Sequence, residues 1–249
     1  MPTHLDSVVI DTADPAALAR WWAQALGWTM TVVKPVQADV EPESGSGEPG
    51  VRLVFYFADD PRTVKNRLHL DLRSDSAEDQ AGLVRRLTGI GAVHRDIGQG
   101  RVPWTVLADP HGNELCVLDP RDLYSPETGP IAAVVVDAVD PAGLARFWAD
   151  AAGWTLEGQD GAVPRLRHPA GSGPFIEFVP TGEPHRVKNR VHLDVAPGPG
   201  GDQAAEVERL IGLGAERVEI GQSQAPPGQV TWVVLADPEG NEFCVLTPR

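Results

Sequence analysis

The stretch Lys65-Asn66-Arg67-Leu68-His69-Leu70-Asp71-Leu72 returns later in the chain as Lys188-Asn189-Arg190-Val191-His192-Leu193-Asp194-Val195. Read with the two-residue period of a strand, Arg67, His69 and Asp71 share one face and Leu68, Leu70 and Leu72 the other, and the second copy divides in the same way. A single amphipathic strand is usually a solvated edge. A solvent face, however, has no need of the same cation, imidazole and carboxylate in the same order twice. On a pocket wall these residues could do chemistry: Arg67 and Arg190 would hold an anionic or carbonyl group, His69 and His192 would act as acid or base, and Asp71 and Asp194 would contact the ligand. Glu114 and Glu242, each following an Asp-Pro-x-Gly-Asn turn, are read as acid–base partners of the histidines, and Trp104 and Trp232 offer faces on which a planar ligand could stack. The plainer reading is that a His and a Glu satisfy one another and that a tryptophan beside a turn packs a core.

These residues need strands and turns to place them. Ser7 to Ile10 is a β-branched run, and Asp14-Pro15 after it supplies an N-cap and a first-turn proline for a helix over Ala16 to Leu26, ended by Gly27. Strands are expected at Trp28–Val33 and Val51–Phe57, with the Pro/Glu/Ser/Gly-rich Pro35–Gly50 between them as an exposed, mobile loop. The outline then repeats: the His69 strand, a helix over Asp75 to Thr88, and strands at Val93–Ile97, Trp104–Leu107 and Glu114–Leu118. Tyr124 to Pro130 reads as a linker, after which Ile131 restarts the whole pattern. Asp140-Pro141 matches Asp14-Pro15, and Leu235-Ala236-Asp237-Pro238-Glu239-Gly240-Asn241-Glu242 matches Leu107 to Glu114. The chain is therefore α+β, with a first module at 1–123, a linker at 124–130 and a second module at 131–249, each made of two strand-helix-three-strand units. The modules differ at Glu177, which lines up with Val54; parity alone does not orient it.

The net charge of −14, from 21 Lys and Arg against 35 Asp and Glu, argues against tracking a nucleic-acid backbone or an anionic membrane surface. Cys116 and Cys244 occupy corresponding places in the repeats, which argues against a framework disulfide and for a reducing, cytoplasmic setting. The N-terminus lacks a signal-peptide pattern, and no apolar run approaches the ~18 residues of a membrane span. The expected partner is a small molecule, and either a monomer or a homodimer fits.

The opening strand ending in Asp-x-x-Asp-Pro, the helix ending Leu26-Gly27-Trp28, the Arg-x-His-Leu-Asp strand and the closing Asp-Pro-x-Gly-Asn-Glu strand together resemble the glyoxalase-like, bleomycin-resistance branch of the vicinal oxygen chelate superfamily. The resemblance implies paired βαβββ units with curved mixed sheets around cavities and helices outside. It also implies metal-ligand places, which fall here on Ser7 and Ala133 (first strand), His69 and His192 (fifth) and Cys116 and Cys244 (eighth). Ser7 and Ala133 are poor ligands, so the expectation is a small-molecule binder without the usual metal triad and with no required cofactor. The alternative is a lyase or isomerase of glyoxalase type, using His/Glu acid–base chemistry or a divalent metal in an altered ligand set.

Overall fold

The structure is a computed structural model and describes residues 3–43, 50–60, 62–158, 163–221 and 231–249. The first unit comprises β1 (His4–Thr12), α1 (Pro15–Leu26), β2 (Thr29–Lys34), β3 (Gln37–Glu41) and β4 (Arg52–Phe57). The second comprises β5 (Leu68–Leu72), α2 (Ala77–Gly89), β6 (Val93–His94), β7 (Thr105–Ala108) and β8 (Glu114–Val117). The third holds β9 (Ile131–Ala138), α3 (Pro141–Ala152), β10 (Thr155–Glu157), β11 (Arg165–Arg167) and β12 (Phe175–Pro180). The fourth holds β13 (Val191–Ala196), α4 (Gln203–Gly212), β14 (Glu216–Arg217), β15 (Trp232–Ala236) and β16 (Glu242–Leu246).

Local chemistry sets the helix ends. The Asp14 carboxylate accepts the Ala17 N–H, Pro15 occupies the first turn, and Gly27 closes α1 at φ 72°, a left-handed conformation in which a Cβ is disfavoured. Asp140, Pro141 and Gly153 (φ 67°) do the same for α3. The stripe Leu18, Trp22 and Ala25 is buried, as spacing of three and four requires.

The strands form two eight-stranded mixed sheets, and the pairing crosses between the halves of the chain. The first sheet runs β14-β15-β16-β13-β1-β4-β3-β2 and so joins the first unit to the fourth; the second runs β10-β11-β12-β9-β5-β8-β7-β6 and joins the second to the third. Neither half completes a sheet alone. The central joints are antiparallel, β1 against β13 and β5 against β9, while β1–β4 and β13–β16 are parallel.

Each sheet has two distinct faces. Val8, Ile10, Leu53, Phe55, Leu193 and Val245 lie on the first sheet's core face, and Leu68, Leu70 and Leu72 on the second's, within one apolar core that also takes in the buried stripes of α1 and α3. His69, Asp71, His192 and Asp194 therefore point the opposite way, as the two-residue period predicts.

One expectation is corrected. Pro35–Gly50 is not wholly a loop, because β3 crosses it with Ala38 and Val40 fully buried; Ala38-Asp39-Val40 alternates, but the surrounding Pro, Glu and Gly mask the signal. Residues 44–49 of that stretch lie outside the described residues. Within the 124–130 linker Tyr124 is buried and Pro126–Thr128 form a short 3-10 turn.

Candidate functional site

The repeated closing turn is first of all a structural box. Asp109 accepts hydrogen bonds from the backbone N–H of His111 and Asn113 (2.9 Å each), from Asn113 Nδ2 (2.9 Å) and from Trp22 Nε1 on α1 (3.2 Å). Asp237 does the same with Glu239, Asn241 and Trp148 Nε1 (3.1 Å). Burial raises both carboxyls above their ordinary value, and these donors oppose the rise. The box then reaches the signature strand: Asn66 Nδ2 donates to Asn113 Oδ1 and Asn189 Nδ2 to Asn241 Oδ1, both at 3.1 Å.

The two glutamates belong to this network. Glu114 accepts from Asn66 N (3.2 Å) and pairs with Arg62; Glu242 accepts from Asn189 N (3.0 Å) with His185 Nε2 at 3.2 Å. Burial pushes the Glu242 carboxyl up, but the His185 and Asn189 contacts outweigh it and hold it below its ordinary value. Both glutamates thus bind the loop entering the signature strand, which the face count could not reveal.

The arginines also act as joints. Arg67 donates from Nε to Asn241 Oδ1 (3.0 Å) and from its two terminal nitrogens to the carbonyls of Glu183 (2.6 Å) and Asp137 (2.7 Å) and to Glu239 (3.1 Å). Arg190 donates to the carbonyl of Asp11 at 3.1 Å. Arg67 and Arg190 precede the first residues of β5 and β13, so their side chains run to the opposite half rather than over the site.

His192, Asp194 and Cys244 remain on the free face of the first sheet. Asp194 lies opposite Ser7 on β1 and Cys244 on β16, and His192 lies opposite Val9. His192 Nε2 is 3.5 Å from Asp194 Oδ1 and 3.8 Å from Cys244 Sγ. These groups form the floor of a cavity of about 120 Å³ that Arg52, Tyr56 and Trp232 also line. Tyr56 and Trp232 meet edge to face with ring centroids 6.0 Å apart. The Arg52 charge is opposed by Asp6, by Asp39 at 3.6 Å and by Glu41 at 3.8 Å.

Burial lowers the His192 pKa, with Asp11 and Glu242 pulling the other way. Burial also pushes Asp194 up to about 8, aided by the charge of Asp6, and raises the Cys244 thiol well above its ordinary value. Near neutrality the floor is therefore a neutral imidazole, a largely protonated carboxyl and a thiol, which offer both donors and acceptors without formal charge.

The second sheet carries the same three residue types at the corresponding positions. Asp71 lies opposite Cys116 and Ala133, and His69 Nε2 is 3.3 Å from Asp71 Oδ1. Glu177, left unoriented by parity, points to this side: it lies opposite Val135, which also faces His69, and it accepts a hydrogen bond from Tyr124. Trp104 is stacked beside the Arg121 guanidinium at 5.6 Å and donates to Gln99.

In each sheet the His, Asp and Cys donor atoms lie within 4.8 Å of one another, and Asp71 Oδ1 and Asp194 Oδ1 are buried without a hydrogen-bond partner among the described residues. This nitrogen, oxygen and sulfur set fits a zinc-type ion better than a hard cation, which would take oxygen ligands. Asp71 and Asp194 complete it from a position read in the sequence only as a ligand contact.

The fold and this floor define a duplicated glyoxalase-like protein. The glyoxalase-like domain model matches residues 7–118 and again 133–246, so the chain belongs to that family, within the vicinal oxygen chelate superfamily. Among solved structures, a V278E mutant of glyoxalase I from Zea mays superposes with a TM-score of 0.67 at 14% identity, over 98% of this chain and 92% of that one. A putative dioxygenase from Bacillus subtilis subsp. subtilis str. 168 gives 0.62 at 15% identity, over 99% and 85%. At such identities the likeness concerns the fold alone. Comparison with curated proteins gave no match.

Proposed function

We propose that the cavity of the first sheet binds a small organic molecule, oriented by Asp194 as hydrogen-bond donor and His192 as acceptor, with Trp232 and Tyr56 as its apolar wall. The observation that carries this reading is the cavity of about 120 Å³ floored by His192, Asp194 and Cys244. Pockets for drug-sized ligands start at roughly 300 Å³, so the volume suits a molecule or moiety of a few non-hydrogen atoms. An uncharged floor favours an uncharged carbonyl, amide or hydroxyl compound over a multiply charged one. Arg67, Arg190, Glu114 and Glu242 stay outside the binding role, being engaged elsewhere in the network.

A ligand-observed NMR screen of small carbonyl and hydroxyl compounds tests the proposal. Hits should be displaced from the wild type by one another and lost in His192→Ala and Asp194→Leu. Hits unaffected by both changes would place binding elsewhere and refute it.

A second reading is favoured by the paired His-Asp-Cys clusters: an enzyme of lyase or isomerase type in which His192, Asp194 and Cys244 hold a zinc-type ion. Such an ion would polarise a carbonyl oxygen or lower the pKa of a bound water. His192 and Asp194 would then be ligands rather than free contacts. Native mass spectrometry after expression with zinc decides between the two: one tightly held ion, lost in Cys244→Ala, selects the second reading, and an apo mass selects the first.

Both sheets close within one chain, so a monomer suffices for either reading. The buried free thiols Cys116 and Cys244 suit a reducing compartment such as the cytoplasm. Among the described residues no helix is long and apolar enough to cross a membrane.

A further inference from the structure

The second sheet repeats the floor of the first but not what lies over it. His69, Asp71 and Cys116 hold the register positions of His192, Asp194 and Cys244. On the adjoining strand the correspondence breaks. Phe175, opposite Ala133, stands where the first sheet has Arg52 opposite Ser7, and Glu177, opposite Val135, stands where it has Val54 opposite Val9. A third departure is Tyr124, which enters from the connection between the halves.

Tyr124 touches both of the others. The Tyr124 hydroxyl donates to Glu177 Oε1 at 2.8 Å, and its ring meets Phe175 edge to face with centroids 6.0 Å apart at 64°. The Arg121 guanidinium lies 5.9 Å from the same ring. Tyr124 is 5% exposed and packs with Cys116, Ala133, Val135 and Phe175. The result is a slot with an aromatic wall and a carboxylate at its far end, filled by a phenol.

Bulk alone would not call for Glu177, since the first sheet places a valine there. Burying a carboxyl without a partner is costly, so its place in the slot is accounted for by the hydroxyl it receives. We propose that the face of the second sheet is a second small-molecule site, selective for phenols, with Tyr124 as its resident occupant. The chain thereby carries one open cavity and one closed by its own connecting segment. This inference stands on the second sheet alone and does not depend on what the first sheet binds.

The test uses the full chain with Tyr124→Gly and p-cresol, the tyrosine side chain as a free molecule, as probe, with toluene as the hydroxyl-free control. Isothermal titration should show p-cresol binding to the variant near 1:1 and roughly tenfold tighter than toluene, the ratio expected for one hydrogen bond to a carboxylate. Amide shifts at Phe175 and Glu177 should follow the titration in the variant and not in the wild type, which separates this site from the first cavity. A folded variant that binds neither compound there, or both equally, overturns the proposal. If Tyr124→Gly does not fold, Tyr124→Phe keeps the ring and removes the donor. The carboxyl carbon of Glu177, followed by NMR, should then titrate at a higher pH than in the wild type, and an unchanged titration overturns the hydroxyl–carboxylate recognition on which the proposal stands.

Discussion

Replacing Arg67 by alanine tests whether the repeated Arg-x-His-x-Asp strand is uniform in purpose. The guanidinium makes four hydrogen bonds, to Asn241, Glu239 and the carbonyls of Asp137 and Glu183, all in the other half of the chain. Its side chain is 11% exposed, so water replaces the lost donors only in part. Hydrogen bonds to charged groups contribute about 1.5–3 kcal/mol each, but the four share one group and two end on partly exposed carbonyls. A total loss of about 3 kcal/mol is therefore expected for Arg67→Ala. With a urea m value of about 3 kcal/mol/M, the unfolding midpoint should fall by about 1 M. Arg67→Lys should recover little, because an ammonium cannot span four acceptors in a planar fork. Small-molecule binding by the folded variant should be unchanged. An unaltered midpoint together with lost binding would refute this assignment and return Arg67 to the pocket.

Three further outcomes are expected. Trp22→Phe and Trp148→Phe each remove one donor to a buried carboxyl, Asp109 or Asp237, and should each cost about 1–3 kcal/mol in denaturant unfolding; a negligible loss in either would show that its box does not hold α1 or α3 in place. Gly27→Ala meets no atom within 4 Å, so its cost is confined to a side chain at φ 72° and should be about 1 kcal/mol; a loss several times larger would point to a packing role. Asp194 has a folded-state pKa raised by burial to about 8. The folded chain holds that proton more tightly, so the contribution is complete below about pH 4, is lost as pH rises and levels above about pH 8. The stability of Asp194→Asn relative to the wild type should therefore improve steadily from pH 4 to pH 8 in thermal melts, and a difference independent of pH would contradict the shift.

The internal repeat made four units legible, and the alternation of Leu68, Leu70 and Leu72 with His69 and Asp71 correctly divided a core face from a polar one. That division holds because the strand period is a backbone property that any buried face must respect. The same count could not give the partners of Arg67, Glu114 and Glu242, whose long side chains bond to loops and turns that face parity does not describe. Pairing between units was also outside its reach: similar units can join in more than one way, and which unit shares a sheet with which is a tertiary fact. Tyr124 was hidden for a compositional reason, since a Pro/Gly/Ser-rich connection gives no signal that one ring within it is buried.

The crossing of the halves has a consequence for synthesis. The second sheet uses strands drawn from residues 68 to 180, whereas the first needs β1 to find β13, with His4 opposite Ala196. The chain is thus nested like a pair of brackets, the inner pair closing before the outer can. A nascent chain released at residue 180 would own every strand of the inner sheet and half of the outer one. β1 must wait for β13, holding one polar edge unpaired while the residues between them are made.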